Sequence, residues 1–158
     1  LQFWAVVAWG VRVYLLPFRM ETVWLAIDAT HVAQILGQRE WIPVPSSPAL
    51  WPGVLAWHGR AVAVFDLGQV LKLPALLPGQ SRRRTLICSA LGNWLAIIVD
   101  VIREAQVVAE TLCRPCQISR QRYASQEYES EDLILPILDP VAIVREALST
   151  DSPPGATK

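Results

Sequence analysis

The chain has 158 residues and sets 14 Lys and Arg against 14 Asp and Glu, with 53% of its residues hydrophobic and 18% charged. That size and balance fit one domain, or two small modules packed together, around a buried core. They exclude a disordered chain, and the zero net charge argues against a general nucleic-acid binder, whose affinity rests on basic excess.

Residues 1–10 are apolar but follow no basic segment, so no secretory signal is expected. Arg12 and Arg19 break the run short of the ~20 residues a spanning helix needs, so no direct membrane insertion is expected either. Residues 1–10 stay unassigned. Runs 11–18 and 22–28, rich in Val, Trp, Tyr, Leu and Ile, predict a hairpin around Met20 and Glu21. Residues 29–36 read as a short helical or extended segment. Pro43, Pro45, Pro48 and Pro52 then exclude a central strand or a regular helix. Strands are predicted over 53–57 and 61–66, around the turn His58-Gly59-Arg60, and a short helix over 68–73. Residues 74–84 read as a linker or long loop, with Arg82-Arg83-Arg84 as a solvated charge run. A second hairpin is predicted over 85–90 and 94–99, and an extended run over 101–108. Residues 113–131 are polar and carry no readable element. A last strand covers 133–138. Asp139 can cap a helix over 140–148, with Pro140 in its first turn. Residues 149–158 read as a disordered tail.

Two short matches recur along the chain. Trp24-Leu25-Ala26-Ile27 returns as Trp94-Leu95-Ala96-Ile97. Val62-Ala63-Val64-Phe65-Asp66 returns in pattern as Leu135-Pro136-Ile137-Leu138-Asp139. The order and nearly equal shift predict two copies of one β-rich module, and short strands with close turns favour small barrels. The expected fold is all-β, with two small five-stranded barrel-like subdomains packed together and short helices. The expected domain covers 11–148, with pseudo-equivalent units over 22–73 and 85–148 interleaved with 11–21. Gly53, Asp66, Asp100 and Asp139 are expected to be structural; the three Asp residues each end an apolar strand, where a carboxylate serves a turn or a cap.

Catalytic and metal chemistry find little support. Cys113-Arg114-Pro115-Cys116 has redox spacing but no strand-to-helix setting to lower a thiol pKa. Zinc needs four ligands, which Cys88, His31 and His58 would complete only by accident of folding. His58, Asp66 and a serine lack any hydrolase motif around them. No catalytic residue, metal or cofactor is therefore expected. Seven Trp residues point instead to surfaces that expect protein partners.

These motifs, in order, resemble the CheW family, the adaptor domain of bacterial chemosensory arrays. Trp24–Ile27 followed by Asp28-Ala29-Thr30-His31-Val32-Ala33-Gln34-Ile35-Leu36 is similar to the family's opening. Pro43-Val44-Pro45, and then the run from Trp51 through Gly53, Val54, His58, Gly59 and Arg60 to Asp66 and Leu67, resembles its proline loop, its Arg-Gly turn and its strand ending in Asp-Leu. Leu95–Ile102 and Leu135–Asp139 resemble its later strands. One position departs from the pattern, since His58 stands where the family usually has Arg before the turn glycine.

The resemblance implies a non-enzymatic cytoplasmic adaptor at membrane-associated receptor arrays, in a two-component chemotaxis system. It would link a methyl-accepting or pilus-type chemosensory receptor to a CheA-like histidine kinase, with Val54, Leu55, Trp57, His58, Gly59 and Arg60 as partner-binding residues. The alternative reading is a small β-barrel module for another protein or for a nucleic-acid ligand.

Overall fold

The computed structural model describes residues 10–78, 83–116 and 122–150 of the chain. Strands β1 (Arg12–Met20) and β2 (Val23–Asp28) form the first hairpin. A 3₁₀ turn at Ala29–His31 leads into β3 (Val32–Leu36), β4 (Ile42–Pro43), β5 (Gly53–Trp57) and β6 (Arg60–Phe65), and then the short helix α1 (Leu67–Val70). The second hairpin is β7 (Arg84–Ala90) and β8 (Asn93–Val99). The chain continues through β9 (Val101–Ile102), β10 (Gln106–Ala109), β11 (Arg114–Pro115), β12 (Gln126–Ser130) and β13 (Leu133–Leu138), and helix α2 (Pro140–Thr150) follows.

The strands make two mostly antiparallel sheets in an all-β fold with few, short helices. One runs β10-β1-β2-β13-β12-β11, with β9 also on β1; the other runs β3-β7-β8-β6-β5-β4. Each is an open path of strands, in keeping with the all-β fold of two barrel-like subdomains that the sequence suggested, without closing into a barrel. Each has one parallel contact at its centre. Leu138 pairs with Ile27 there in the first sheet, and Phe65 with Ile97 in the second. The opening hairpin thus joins strands from the second half of the chain, and the second hairpin joins strands from the first half. The sheets therefore do not follow a division at 22–73 and 85–148: β2 lies beside β13, and β3, β5 and β6 lie with β7 and β8.

The hydrophobic runs explain the layering. Leu15, Leu16 and Phe18 are all buried, as are Leu25, Ala26 and Ile27, and the whole stretch from Leu95 to Val99. Successive residues of a strand face opposite sides, so such runs arise where both faces are covered. Phe18, Leu25, Ile27, Phe65, Leu86, Leu95 and Ile97 share the core between the sheets with Ile143 and Val144 of α2. The outward alternates make two further cores. Leu15, Ala26, Val108 and Leu135 form one with the first sheet; Leu55, Val62, Val64, Ile87, Ala96 and Ile98 form the other with the second, together with Trp41. Fully burying a side chain such as Leu25 or Phe18 contributes ~2–3 kcal/mol.

The local departures have local causes. The expected extended run over 101–108 is two short strands, split where residues 103–105 leave the sheet. The polar stretch 113–131 contains β11 and β12, joined through the Arg114 and Glu127 ion pair at 3.1 Å. Helix α1 starts one residue before the predicted 68–73 and ends three before it. Helix α2 runs to Thr150, two residues past its predicted end, while 151–158 and 1–9 lie outside the described residues. Arg83 is not a solvated charge: its guanidinium reaches Asp100 at 3.5 Å and Glu21 at 4.0 Å, tying the second sheet to the first hairpin. Arg84 opens β7, and Arg82 lies outside the described residues.

Candidate partner-binding surface

The β5–β6 hairpin is a two-residue turn, with Trp57 paired to Arg60. His58 has φ 48° and Gly59 φ 71°, both left-handed, which matches the twist of the flanking strands. Gly59 takes this conformation freely, whereas His58 holds it with its side chain engaged. Its Nε2 lies 3.3 Å from Gln34 Oε1, and its ring packs edge-on to Trp57 with centroids 4.6 Å apart. The Trp57 indole N–H donates to the same Gln34 oxygen at 2.8 Å, and its ring lies 5.0 Å from that of Trp94. The result is an aromatic and polar cluster at one end of the second sheet, drawn from β3, β5 and β8. His58, Gly59 and Arg60 are exposed, Trp57 and Val54 are half-buried, and Trp94 is 36% exposed.

Leu55 does not belong to this surface. It is 2% exposed and part of the core inside the second sheet. Val54 and Leu55 are neighbours on one strand and face opposite sides, so both could not point to a partner. The sequence reading missed Gln34 and Trp94. The recurrence of Trp24 as Trp94 was the available signal for the latter.

The four structural positions each have a partner or a contact. A Cβ on Gly53 would run into the Ile42 carbonyl oxygen and the Trp41 ring, so the close β4–β5 approach requires glycine. Asp66 is 3% exposed; its carboxylate accepts from the Leu76 backbone N–H at 3.1 Å and makes no cap bond to α1. Asp100 accepts from the Glu21 N–H at 2.6 Å, and Asp139 from the Val141 N–H at 3.0 Å, at the start of α2.

A groove of about 700 Å³ lies beside the hairpin surface, lined by Leu50 and Trp51 of the proline loop, Trp94 of β8, Tyr123, and Val144 and Leu148 of α2. An Arg122–Glu146 ion pair flanks it. Its walls are mostly apolar and aromatic, suited to an apolar side chain of a partner.

The geometry does not assemble the residues weighed for catalysis. His58 and Asp66 sit beyond opposite ends of β6, whose six residues span ~20 Å. Burial pushes the Cys88 thiol up to about 12. Burial, and then Glu110 and Asp28, raise Cys113; burial, and then Glu127, raise Cys116. Thiols raised in this way are held as the weakly nucleophilic protonated form. Cys113 and Cys116 flank a two-residue strand, not a helix N-terminus. Among the described residues, no group of three or more His, Cys, Asp or Glu could hold a metal ion.

The CheW-like domain family matches residues 15–148, which takes in both sheets but for the first three residues of β1, and nearly all of α2. The chain belongs to the CheW-like domain family. This is the family of chemotaxis scaffold and adaptor domains. Among solved structures, the chain is similar to the scaffolding protein TtCheW of Thermoanaerobacter tengcongensis. The TM-score is 0.72 at 17% identity, over 82% of this chain and 90% of that one. At that identity the likeness shows the CheW fold alone. No curated protein sequence matches the chain significantly. Among the described residues of this CheW-like domain, no helix is long and apolar enough to cross a membrane.

Proposed function

We propose that this CheW-like domain is a non-catalytic adaptor that couples a chemoreceptor, methyl-accepting or pilus-type, to a CheA-like histidine kinase at cytoplasmic receptor arrays. The observation that carries this reading is the family match across both sheets. The surface supports it: a hairpin tip with exposed His58 and Arg60 and half-buried Trp57 stands beside a largely apolar groove. Exposed aromatic and arginine side chains over a rigid sheet suit a protein interface, because they supply large contact area at low entropic cost. In this reading the turn and the exposed face of β5 dock on a partner β domain, and the groove takes side chains of a receptor helix. The test is reconstitution with the CheA-like kinase and a receptor encoded in the same genome. Co-purification with both, and receptor-dependent kinase activity that requires the domain, are the expected results. Failure to retain either protein overturns the reading.

A further inference from the structure

The first sheet carries a second cluster, in which Arg103 is exposed while Arg19 and Trp24 are half-buried. Arg19 and Trp24 are directly opposed across the first hairpin, so their side chains share a face. Arg19 also pairs with Val101 of β9. Arg103, just past β9, is pinned to β1 by its N–H donating to the Pro17 carbonyl at 2.9 Å. Three adjacent backbone segments therefore fix the three side chains. The Arg103 guanidinium lies 4.3 Å from the Trp24 ring centroid and that of Arg19 lies 5.7 Å away.

Three other arginines are held in ion pairs: Arg83 with Asp100, Arg114 with Glu127 and Arg122 with Glu146. Among the described residues, no carboxylate pairs with Arg19 or Arg103, Glu104 next in the chain included. The Arg19 Nε is buried without a hydrogen-bond partner. An unpartnered buried donor on a cation is costly, and a carboxylate held on the outer nitrogens of the same guanidinium would offset part of that cost. The two guanidiniums are also pre-ordered by stacking on one indole, so little entropy is lost when they grip a carboxylate.

We propose that Arg19, Trp24 and Arg103 form a docking surface for an acidic segment of a partner protein. Carboxylate side chains would take the guanidinium forks in charge-assisted, bidentate hydrogen bonds. The surface lies in the other sheet from the β5–β6 hairpin, and the inference does not rest on the adaptor reading.

The probe is a capped hexaglutamate peptide titrated into the whole protein, read by tryptophan fluorescence. The expected response disappears in Trp24→Phe and weakens as salt rises from ~50 to ~200 mM. Arg103→Glu should weaken binding about tenfold or more, with Arg103→Lys falling between it and wild type. Arg39→Glu, an exposed charge elsewhere, should change nothing. Circular dichroism confirms that each variant folds. The proposal is overturned if the peptide does not bind, if Arg39→Glu weakens it as much as Arg103→Glu, or if inorganic phosphate or phosphatidylserine vesicles bind with the Arg103 dependence that the peptide lacks.

Discussion

Gly53 shows how much one missing side chain can decide. The proline loop brings β4 so close to β5 that any Cβ at Gly53 meets the Ile42 carbonyl and the Trp41 ring. Gly53→Ala should destabilise by ~2–3 kcal/mol through overpacking, read as a lower urea midpoint with unchanged m-value. Cys88 gives a pH dependence. The folded thiol keeps its proton to about 12, while the unfolded one loses it near 9.0. Between those values the unfolded state binds fewer protons, so stability is full below pH 9 and falls as pH rises. Urea midpoints of wild type and Cys88→Ala, followed from neutral pH upward, should converge in that window; parallel curves would show that the thiol is not shielded. Single residues were also the least legible feature of the sequence. Asp66 could be foreseen at a turn, but not its reach to the Leu76 N–H, since that contact depends on where a loop without regular structure returns.

Among the elements, hairpins were easiest to foresee. Runs such as Thr85–Ala90 and Trp94–Val99 are β-branched and apolar, close a short turn, and need only local pairing. The stretch holding β11 and β12 was not readable because its strands are held by an Arg114–Glu127 pair thirteen positions apart and not by an apolar pattern. The β5–β6 hairpin was predicted with its turn, yet the side chains that order it, Gln34 and Trp94, come from other strands. That hairpin carries a prediction. Arg60 is exposed, so Arg60→Ala should shift stability by less than ~0.5 kcal/mol. It should weaken association with kinase or receptor in a binding titration. His58→Arg should fold, since the turn geometry is unchanged, and restore the fork of donors the family usually has there. Unchanged affinities for both partners in both variants would remove this turn from the contact surface.

The whole molecule is held by one shared core and by the exchange of hairpins between sheets. Neither sheet is a continuous piece of chain, and Phe18, Phe65, Ile97 and Ile143 meet in the same layer. Unfolding should therefore be one cooperative transition, with far-ultraviolet circular dichroism and tryptophan fluorescence superimposable in urea. Two resolved transitions would mean that the sheets unfold separately. The family resemblance pointed to the all-β fold. The exchange was hidden, because which hairpin pairs with which strands is set by non-local contacts that no local pattern encodes.

The three-residue 3₁₀ turn after β2 limits which hairpin β3 can join. It covers the step from Asp28 to Val32 while advancing only ~8 Å. Val32 stands level, through Cys88, with Leu95, which recurs in sequence from Leu25. For β3 to join its own hairpin on the β1 side, the chain would have to double back past β1. That means crossing two strand spacings and returning three residues, ~14 Å in all. The turn is too tight for that, so β3 is committed to a neighbour's hairpin. Each sheet is thus completed only by strands from the other half of the chain, so neither hairpin can finish its sheet from its own flanking sequence.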